Sequence, residues 1–435
     1  MTLIDLTPRS VVTDRLATLP VVIIGAGPIG LAAAANLAER GIDFVVLEAG
    51  DRPASSIRLW GHTRLFSPWQ YLIDPASRRL LEASGWGSPT DEGRAPSGHE
   101  LVDEYLTPLA ELDAIRSRIR YGTRVSSVTR QGMDRTRTAG REATPFLLRI
   151  TTADGTVQEI TGRAVIDASG TYMSPNPLAS SGLQPMGAGD IGDRVVHALP
   201  DVRGADRARF AGRHTTVVGA GHSAANTLIA LAELSRTEPG TRVTWLIRNA
   251  SAIRVSSSAD DELADRARLG SRVDRLVDDG VIEKIDSFEI SAVERQGDGT
   301  RVIGARHGEP ATHDTDLVVG ATGFRPDLDM LREIRVQLDD IVEAPVRLAP
   351  LIDPNLHSCG TVAPHGFDEL RHPDSGFFLV GMKSYGRAPT FLLATGYEQV
   401  RSVVAWLDGD MRAATEVRLA LPATGVCSTD SGGCC

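Results

Sequence analysis

Two stretches of the chain repeat one alternation of apolar and polar positions. Residues 21–50 and 215–248 each contain a short β-branched run, a glycine turn, an Ala- and Leu-rich segment, a polar turn and a second apolar run. Strands that alternate with helices of this length are typical of βαβ units on a parallel sheet, with right-handed crossovers. The pattern therefore predicts an α/β fold built on two such units.

Shorter patterns fill in the rest of the chain. The runs 146–151 and 157–160 flank an Ala-Asp-Gly turn, which predicts a β-hairpin. The insert 131–144 is polar and predicts a mobile loop, and the Gly-, Ser- and Thr-rich end from Pro422 predicts a disordered tail. Further buried strands and one helix are expected at 317–320, 377–381 and 391–407.

Composition and charge narrow the class of protein. A chain of 435 residues that is 42% hydrophobic and 23% charged suits a globular protein of two or three domains. The net charge of −10 argues against a nucleic-acid or anionic-membrane partner. The first ten residues lack a secretory pattern. Residues 21–38 are uncharged, but their Gly-Ala-Gly-Pro interruption favours a strand, turn and helix over a membrane span.

The four cysteines do not form a disulfide framework. Cys359 stands alone, and the other three lie in the last nine residues. Reduced thiols are typical of a cytosolic protein, so we expect a cytoplasmic location.

The first repeat carries the motif Gly25-x-Gly27-x-x-Gly30. In such a turn the first glycine permits a tight bend, the second lets a pyrophosphate approach the backbone, and the third lets the helix pack on the sheet. The helix N-terminus then presents unpaired N–H groups to the phosphates. Glu48 follows 23 residues after Gly25, where an acid can accept hydrogen bonds from a ribose. This unit is expected to bind a dinucleotide.

The second repeat carries Gly219-x-Gly221-x-x-Ala224, in which alanine replaces the third glycine. Its second apolar run ends in Arg248 rather than in an acid. An arginine at that place suits a 2′-phosphate, so NADPH is preferred over NADH, with Arg254 as a possible second contact. Two such units in one chain suggest two dinucleotides, FAD on the first and NADPH on the second.

Residues 165–170 and 318–327 resemble the two chain-crossing strands of the two-dinucleotide-domain flavoproteins. That superfamily includes flavin-containing monooxygenases, Baeyer–Villiger enzymes, thioredoxin reductase and mercuric reductase, and the resemblance spans about residues 20–410. It implies two Rossmann-like three-layer domains, the NADPH domain being inserted into a discontinuous FAD domain. The implied parts are FAD-binding residues 1–180, NADPH-binding residues 181–319, FAD-binding residues 320–421 and a tail, 422–435.

The motifs and the resemblance together predict a set of cofactor contacts, which includes the turn residues of both glycine motifs. The predicted cofactor-binding residues are Gly25, Gly27, Pro28, Gly30, Glu48, Trp60, Val125, Ala168, Gly170, Gly219, Gly221, His222, Ser223, Ala224, Arg248, Thr322, Gly323 and Gly381.

Two further segments are expected beside the flavin. Residues 60–69 follow the first unit, and if the stretch is extended, Trp60, His62, Arg64 and Phe66 share one side. Residues 381–390 lead into the last helix, whose N-terminus would stabilise negative charge on reduced flavin. The catalytic candidates, expected to contact flavin, nicotinamide or an anionic substrate, are Arg64, Lys383, Tyr385 and Arg387.

The resemblance leaves the branch of the superfamily open. Disulfide reductases carry CxxC or Cx4C beside the flavin, and this chain has neither spacing. A monooxygenase needs no protein nucleophile, because reduced flavin reacts with oxygen. However, residues 191–201 depart from the monooxygenase fingerprint FxGxxxHxxx: the Phe is replaced, His197 is shifted by one position, and the closing aromatic is missing.

The last residues point to a substrate. Cys427, Cys434 and Cys435 can surround a soft ion, and soft thiolates select soft metals and metalloids. This tail, like residues 60–69 and 381–390, looks like that of flavoprotein monooxygenases from bacterial arsenic-resistance clusters. The resemblance implies oxidation of trivalent arsenic or an organoarsenical by molecular oxygen. The alternatives are an NADPH-dependent reductase acting on a tail-held thiol, disulfide or metalloid, a non-enzymatic metalloid-binding or redox-sensing flavoprotein, and an idle tail; an oligomer is compatible with each.

Overall fold

The computed structural model describes residues 16–250, 264–353, 364–388 and 391–419. Within these ranges no helix is long and apolar enough to cross a membrane. Several predicted positions lie outside the described residues: Arg254, Cys359, Cys427, Cys434 and Cys435.

Sixteen strands are present in the described ranges. In chain order they are β1 Val21–Ile24, β2 Phe44–Leu47, β3 Ile119–Arg120, β4 Thr123–Arg130, β5 Phe146–Thr152, β6 Val157–Gly162, β7 Ala164–Asp167, β8 Val195–His197, β9 His214–Val218, β10 Arg242–Leu246, β11 Glu283–Ile285, β12 Phe288–Gln296, β13 Gly299–Arg306, β14 Glu309–Thr315, β15 Leu317–Gly320 and β16 Phe377–Leu379.

Five helices exceed two turns, and the remaining helical segments are shorter. The long helices are α1 Pro28–Glu39, α2 Pro75–Ala83, α3 His222–Ser235, α4 Ala264–Asp278 and α5 Leu393–Leu407. The shorter segments are Ser55–Arg58, Trp69–Tyr71, Gly98–Glu100, Leu101–Leu106, Thr107–Ala110, Asp113–Arg116, Ala188–Arg194, Arg207–Phe210, Asp329–Leu331, Ala349–Ile352, Gly381–Tyr385 and Met411–Thr415.

Two parallel five-stranded sheets confirm the predicted fold class. The first has the order β16-β7-β1-β2-β3 and the second β11-β10-β9-β15-β8. All pairings within both sheets are parallel. In each sheet the strand before the glycine turn, β1 or β9, lies between strands that come later in the chain. The carboxyl end of such a strand is where open α/β sheets bind ligands.

Each parallel sheet is the middle of three layers. Along β1, Val21 and Ile23 face the core that contains α1, whereas Val22 and Ile24 face the antiparallel sheet β4-β5-β6. Both faces are therefore buried, which explains why the strand is apolar without alternation. The second sheet repeats this arrangement, with α3 on one side and the antiparallel sheet β12-β13-β14 on the other.

The local predictions that fall on described residues are confirmed in outline, although the strand expected at 377–381 ends at Leu379; the tail predicted from Pro422 lies outside those residues. The hairpin is β5 and β6, which pair antiparallel, and the last helix begins at Leu393 rather than 391. The insert 131–144 is anchored near its end, because Arg141 is 4% exposed and its Nε lies 2.7 Å from the carboxylate of Asp374. Arg135 and Thr138 of the insert also hydrogen-bond to residues 332–335. A loop whose polarity alone predicts mobility is therefore held at several points.

The two chain crossings between the sheets are hydrogen-bonded to each other. The chain leaves the first sheet after β7 and returns after β15. The Asn176 amide N–H donates to the Gly323 carbonyl at 2.9 Å, and the Asn176 carbonyl accepts from the Thr322 hydroxyl at 2.8 Å. The rings of Tyr172 and Phe324 lie 5.1 Å apart. The crossings therefore form a short paired ribbon. The predicted domain boundaries at 180/181 and 319/320 lie next to the two segments of this ribbon. They remain a prediction.

Candidate dinucleotide sites

The first glycine turn has a different physical requirement at each of its three glycines. Gly25 has φ +98°, and a Cβ there would lie 2.9 Å from the Ala168 carbonyl oxygen. A Cβ on Gly30 would lie 1.9 Å from the carbonyl oxygen of Gly25. A Cβ on Gly27 would meet nothing within 4 Å. Gly25 and Gly30 are thus required by the fold itself, whereas the open space at Gly27 is where a pyrophosphate is expected.

The same turn ends in a helix N-terminus that is free to receive phosphate. Helix α1 begins at Pro28, and its N-cap, Gly27, supplies no side-chain cap. Backbone N–H groups at such an end favour an anion. Glu48 lies beside the turn, where its two carboxylate oxygens accept hydrogen bonds from the backbone amides of Ala26 at 2.7 Å and Gly50 at 2.8 Å. Each carboxylate oxygen keeps a second lone pair, so a ribose hydroxyl remains a compatible partner.

The other predicted FAD contacts lie around this edge of the first sheet. Ala168 and Gly170 directly follow β7, and the Ala168 amide donates to the carbonyl of Ile24 at 2.9 Å. Val125 is in β4, the strand whose first residue, Thr123, donates its amide to the Glu48 carbonyl. The predicted residues of the first motif are therefore gathered at one end of the sheet.

The second glycine turn repeats the first. Gly219 has φ +129°, and a Cβ there would lie 2.2 Å from the Ala321 carbonyl oxygen, whereas a Cβ on Gly221 would meet nothing within 4 Å. Helix α3 begins at His222, Ser223 follows in its first turn, and Ala224 is fully buried in the third motif position. The sites at Gly27 and Gly221 thus share one geometry.

Arg248 lies beyond the carboxyl end of β10, next to the strand that carries the second turn. Its side chain is exposed, and Nη1 donates to the Ser180 carbonyl at 3.4 Å. Since the Ser180 carbonyl is neutral, this contact does not neutralise the guanidinium charge.

Lys383 makes a buried ion pair. Its Nζ lies 2.7 Å from Oδ2 of Asp167 and 3.1 Å from the Ser169 hydroxyl, and the lysine and aspartate side chains are 1% and 0% exposed. The other oxygen, Oδ1, accepts from the amide and hydroxyl of Ser169. The lysine therefore joins the end of β7 to the segment after β16. The sequence showed no signal for this partner, because 216 residues separate the two side chains.

The predicted flavin-side turn at Gly381 rests on a polar network. Gly381 has φ +66°, and a Cβ there would lie 3.0 Å from the Ile29 side chain. Its amide donates to Oε1 of Gln399 at 2.7 Å, while Nε2 of Gln399 contacts Nε2 of His365 at 2.9 Å and the Ser384 hydroxyl at 2.9 Å. Since a backbone N–H can only donate, the glutamine amide must present its oxygen there. Its NH₂ then donates to His365, which must carry a lone pair on Nε2.

The two remaining catalytic candidates after β16 differ in exposure. Tyr385 is 1% exposed, its ring lies 5.1 Å from that of Phe391, and burial raises the pKa of its phenol. Arg387 lies nearer the surface and its Nε is 2.7 Å from a carboxylate oxygen of Glu343. The structure therefore does not bring Lys383, Tyr385 and Arg387 into one cluster.

Residues 60–69 do not form an extended strand. The alternation that would place Trp60, His62, Arg64 and Phe66 on one side therefore does not apply. Trp60 follows the short helix Ser55–Arg58, and turns continue to residue 63. The Arg64 guanidinium donates to the Ala95 carbonyl at 2.5 Å and lies 3.9 Å from Glu100.

This segment instead contacts the second unit. The ring of Phe66 lies 5.0 Å from that of His222, at an interplanar angle of 56°. His62 lies beside the backbone of Pro200. The sequence predicts that residues 60–69 lie beside the flavin. It contains no signal for their contact with the second glycine turn. His197, the other histidine considered, is the last residue of β8 and pairs with Gly320 of β15.

Metal ligands are not gathered in the part of the chain that is described. Within it, no group of three or more His, Cys, Asp or Glu side chains is arranged to hold a metal ion.

Solved structures with this fold include both disulfide reductases and monooxygenases. A bacillithiol disulfide reductase from Bacillus cereus is 20% identical with TM-score 0.65, covering 89% of this chain and 99% of its own. An FAD-bound cadaverine monooxygenase from Erwinia amylovora is 14% identical with TM-score 0.61, covering 95% and 99%. An ornithine N-hydroxylase from a Kutzneria species, solved with reduced FAD, NADP⁺ and L-ornithine, is 17% identical with TM-score 0.60, covering 92% and 100%.

At the level of sequence, no curated protein matches the chain. Residues 22–347, which include both glycine turns and both crossings, match the family described as pyridine nucleotide-disulphide oxidoreductase. The chain therefore belongs to the pyridine nucleotide-disulphide oxidoreductase family, whose members are flavin- and nicotinamide-dependent enzymes.

Proposed function

We propose that this oxidoreductase binds FAD at the first glycine turn and NADPH at the second, and that it is a monooxygenase. One observation supports the two cofactors above all others: Gly27 and Gly221 each face open space at the carboxyl end of a parallel strand, beside a helix N-terminus. The flavin, when bound, supplies hydride acceptance and reaction with oxygen. The protein supplies binding, orientation and a site that excludes water.

The chain's own residues have distinct parts in this proposal. Gly27 and the first turn of α1 hold the FAD pyrophosphate, and Glu48 accepts from the ribose. Gly381, whose amide is held by Gln399, would present its backbone to the flavin, and Lys383 and Tyr385 are buried in the segment that follows it. Gly221 and α3 hold the NADPH pyrophosphate. Hydride transfer needs the nicotinamide close to the flavin, so the two units must approach each other there.

The Arg248 side chain is proposed to select the 2′-phosphate of NADPH. Arg248→Ala should raise KM for NADPH about tenfold or more while KM for NADH changes little, because a charge-assisted hydrogen bond contributes about 1.5–3 kcal/mol. Steady-state kinetics with both nucleotides tests this. Arg242→Ala, at the N-terminal end of β10, is the matched control. An equal effect of Arg248→Ala on KM for both nucleotides would show that Arg248 does not bind the 2′-phosphate.

Two observations favour a monooxygenase over a disulfide reductase. The chain contains no CxxC or Cx4C pair, so no flavin-proximal disulfide is available to accept electrons. The fold is also that of two solved oxygenating enzymes, the cadaverine monooxygenase and the ornithine N-hydroxylase. The bacillithiol disulfide reductase has the same fold, which keeps NADPH-dependent reduction of a disulfide partner as the second candidate.

The proposed substrate is a small soft-element compound, such as trivalent arsenic or an organoarsenical, captured by Cys427, Cys434 and Cys435. The path of the preceding residues supports this. Ala414 accepts from Ser402 and the Arg418 amide donates to Glu398, so the chain runs back along α5 toward its first turn. Gly396 lies in the first turn of α5 and packs against Ile29 of α1. The last described residues thus run along α5 toward the end that lies near the proposed flavin site.

Oxygen consumption by the flavin-loaded protein tests the proposed reaction. With NADPH, arsenite or methylated arsenite should stimulate oxygen uptake without matching release of hydrogen peroxide. A Cys434→Ser/Cys435→Ser variant should lose the stimulation and keep its flavin. NADPH oxidation that continues at full rate without oxygen would reject the monooxygenase and favour the reductase.

A further inference from the structure

Residues 60–66 join the first unit to the entrance of the second nucleotide site. Phe66 contacts His222, the first residue of α3, and His62 lies beside the backbone of Pro200 in the segment after β8. Both contacts therefore cross between the two units. Both contacts come from one loop of the first unit. The Phe66 contact lies at the N-terminus of α3, where the pyrophosphate is expected.

The Phe66–His222 contact leaves no space for a nucleotide between the rings. Their centroids are 5.0 Å apart. A planar group inserted between two rings needs about 7 Å, twice the carbon–carbon contact distance of about 3.5 Å. If Arg248 holds the 2′-phosphate, the nicotinamide half would leave the helix end toward the flavin, as hydride transfer requires. Phe66 belongs to the first unit, where the flavin is proposed to bind, and its ring contacts this helix end.

We propose that Phe66 and His222 form a latch between the two units, which closes the second nucleotide site and must part when NADPH binds. This inference rests on the proposed NADPH site. The ribbon formed by Asn176, Thr322 and Gly323 connects the same two units and is the natural pivot, because its hydrogen bonds are independent of the latch. Phe66 is thus a positioning residue that sets the affinity for nucleotide by setting the population of the closed arrangement.

The expected effect follows from population shift. A nucleotide that binds only the open arrangement has its apparent affinity lowered by the fraction of molecules that are open. An aromatic pair contributes enough to shift such an equilibrium about two- to tenfold. Removal of the Phe66 ring should therefore tighten NADPH binding by about that factor.

Anaerobic equilibrium binding of NADP⁺ to the protein with oxidised flavin, and of NADPH to the protein whose flavin has already been reduced with dithionite, tests the latch. Phe66→Ala should lower both Kd values about two- to tenfold, and Phe66→Tyr, which keeps the ring, should leave them near wild type. In a His222→Ala background, Phe66→Ala should change Kd less than twofold, because the partner is already missing. Far-UV circular dichroism and thermal melting confirm that each variant is folded.

Other results overturn the inference. An unchanged or raised Kd in folded Phe66→Ala shows that the contact does not close the site. An equal effect of Phe66→Ala with and without the His222 ring shows that the two residues do not act as a pair. These outcomes leave the NADPH site intact, whereas a wild type that binds neither NADPH nor NADP⁺ rejects the proposed function itself.

Discussion

A Gly27→Val variant is expected to fold and to contain no flavin. Gly27 has an ordinary φ of −79°, and a Cβ there meets nothing within 4 Å, so the fold tolerates a side chain. The same side chain fills the space where the backbone must approach the pyrophosphate. Purified variant should therefore show a wild-type circular dichroism spectrum and no absorbance near the flavin band.

Two further glycine variants act as controls. Gly87→Val adds the same volume at an exposed loop position that also meets nothing within 4 Å, so it should keep its flavin. Gly30→Ala should instead prevent normal folding, because its Cβ would lie 1.9 Å from the carbonyl oxygen of Gly25. A yellow Gly27→Val protein with stoichiometric flavin would show that the first turn does not hold the pyrophosphate.

The second large effect is expected at Lys383. Lys383→Met removes the partner of Asp167, whose side chain is 0% exposed, and leaves an uncompensated buried carboxylate. The loss of one member of a buried ion pair costs about 3–5 kcal/mol of the free energy of unfolding. Denaturant unfolding of the flavin-free protein measures this change without a contribution from cofactor binding.

The double variant Asp167→Asn/Lys383→Met should recover much of that stability, because no charge is left buried. Arg387→Met, which breaks the more exposed pair with Glu343, should cost at most about 1 kcal/mol. A Lys383→Met protein as stable as wild type would mean that the ion pair contributes nothing to the fold. A stable double variant that binds FAD and NADPH but turns over slowly would instead support the predicted contact of Lys383 with the flavin or substrate.

Local sequence was sufficient wherever adjacent residues decide the structure. The strands before each glycine turn, the helices after them and the placement of Gly25, Gly30 and Gly219 follow from patterns a few residues long. The reason is physical: turn geometry, helix packing and the burial of an apolar strand on both faces are imposed by nearest neighbours. The fold class and the two dinucleotide units were therefore predictable from the chain.

Contacts between distant segments were not predictable in this way. From its local sequence, Lys383 is expected to be exposed or to bind substrate. It instead lies buried against Asp167, 216 residues earlier in the chain. Arg141, in a loop that reads as mobile, is held by Asp374. Phe66, expected beside the flavin, meets His222 of the other unit. Long polar and aromatic side chains take their partners from whatever surface the fold places next to them.

The sequence by itself thus determined the two βαβ units, their glycine turns and the chemical classes of nucleotide that suit them, because these depend on short-range geometry. Only the tertiary structure decided which charges are buried as pairs, how the two crossings are joined through Asn176, and which loop meets the second turn, because these depend on how the two sheets are brought together.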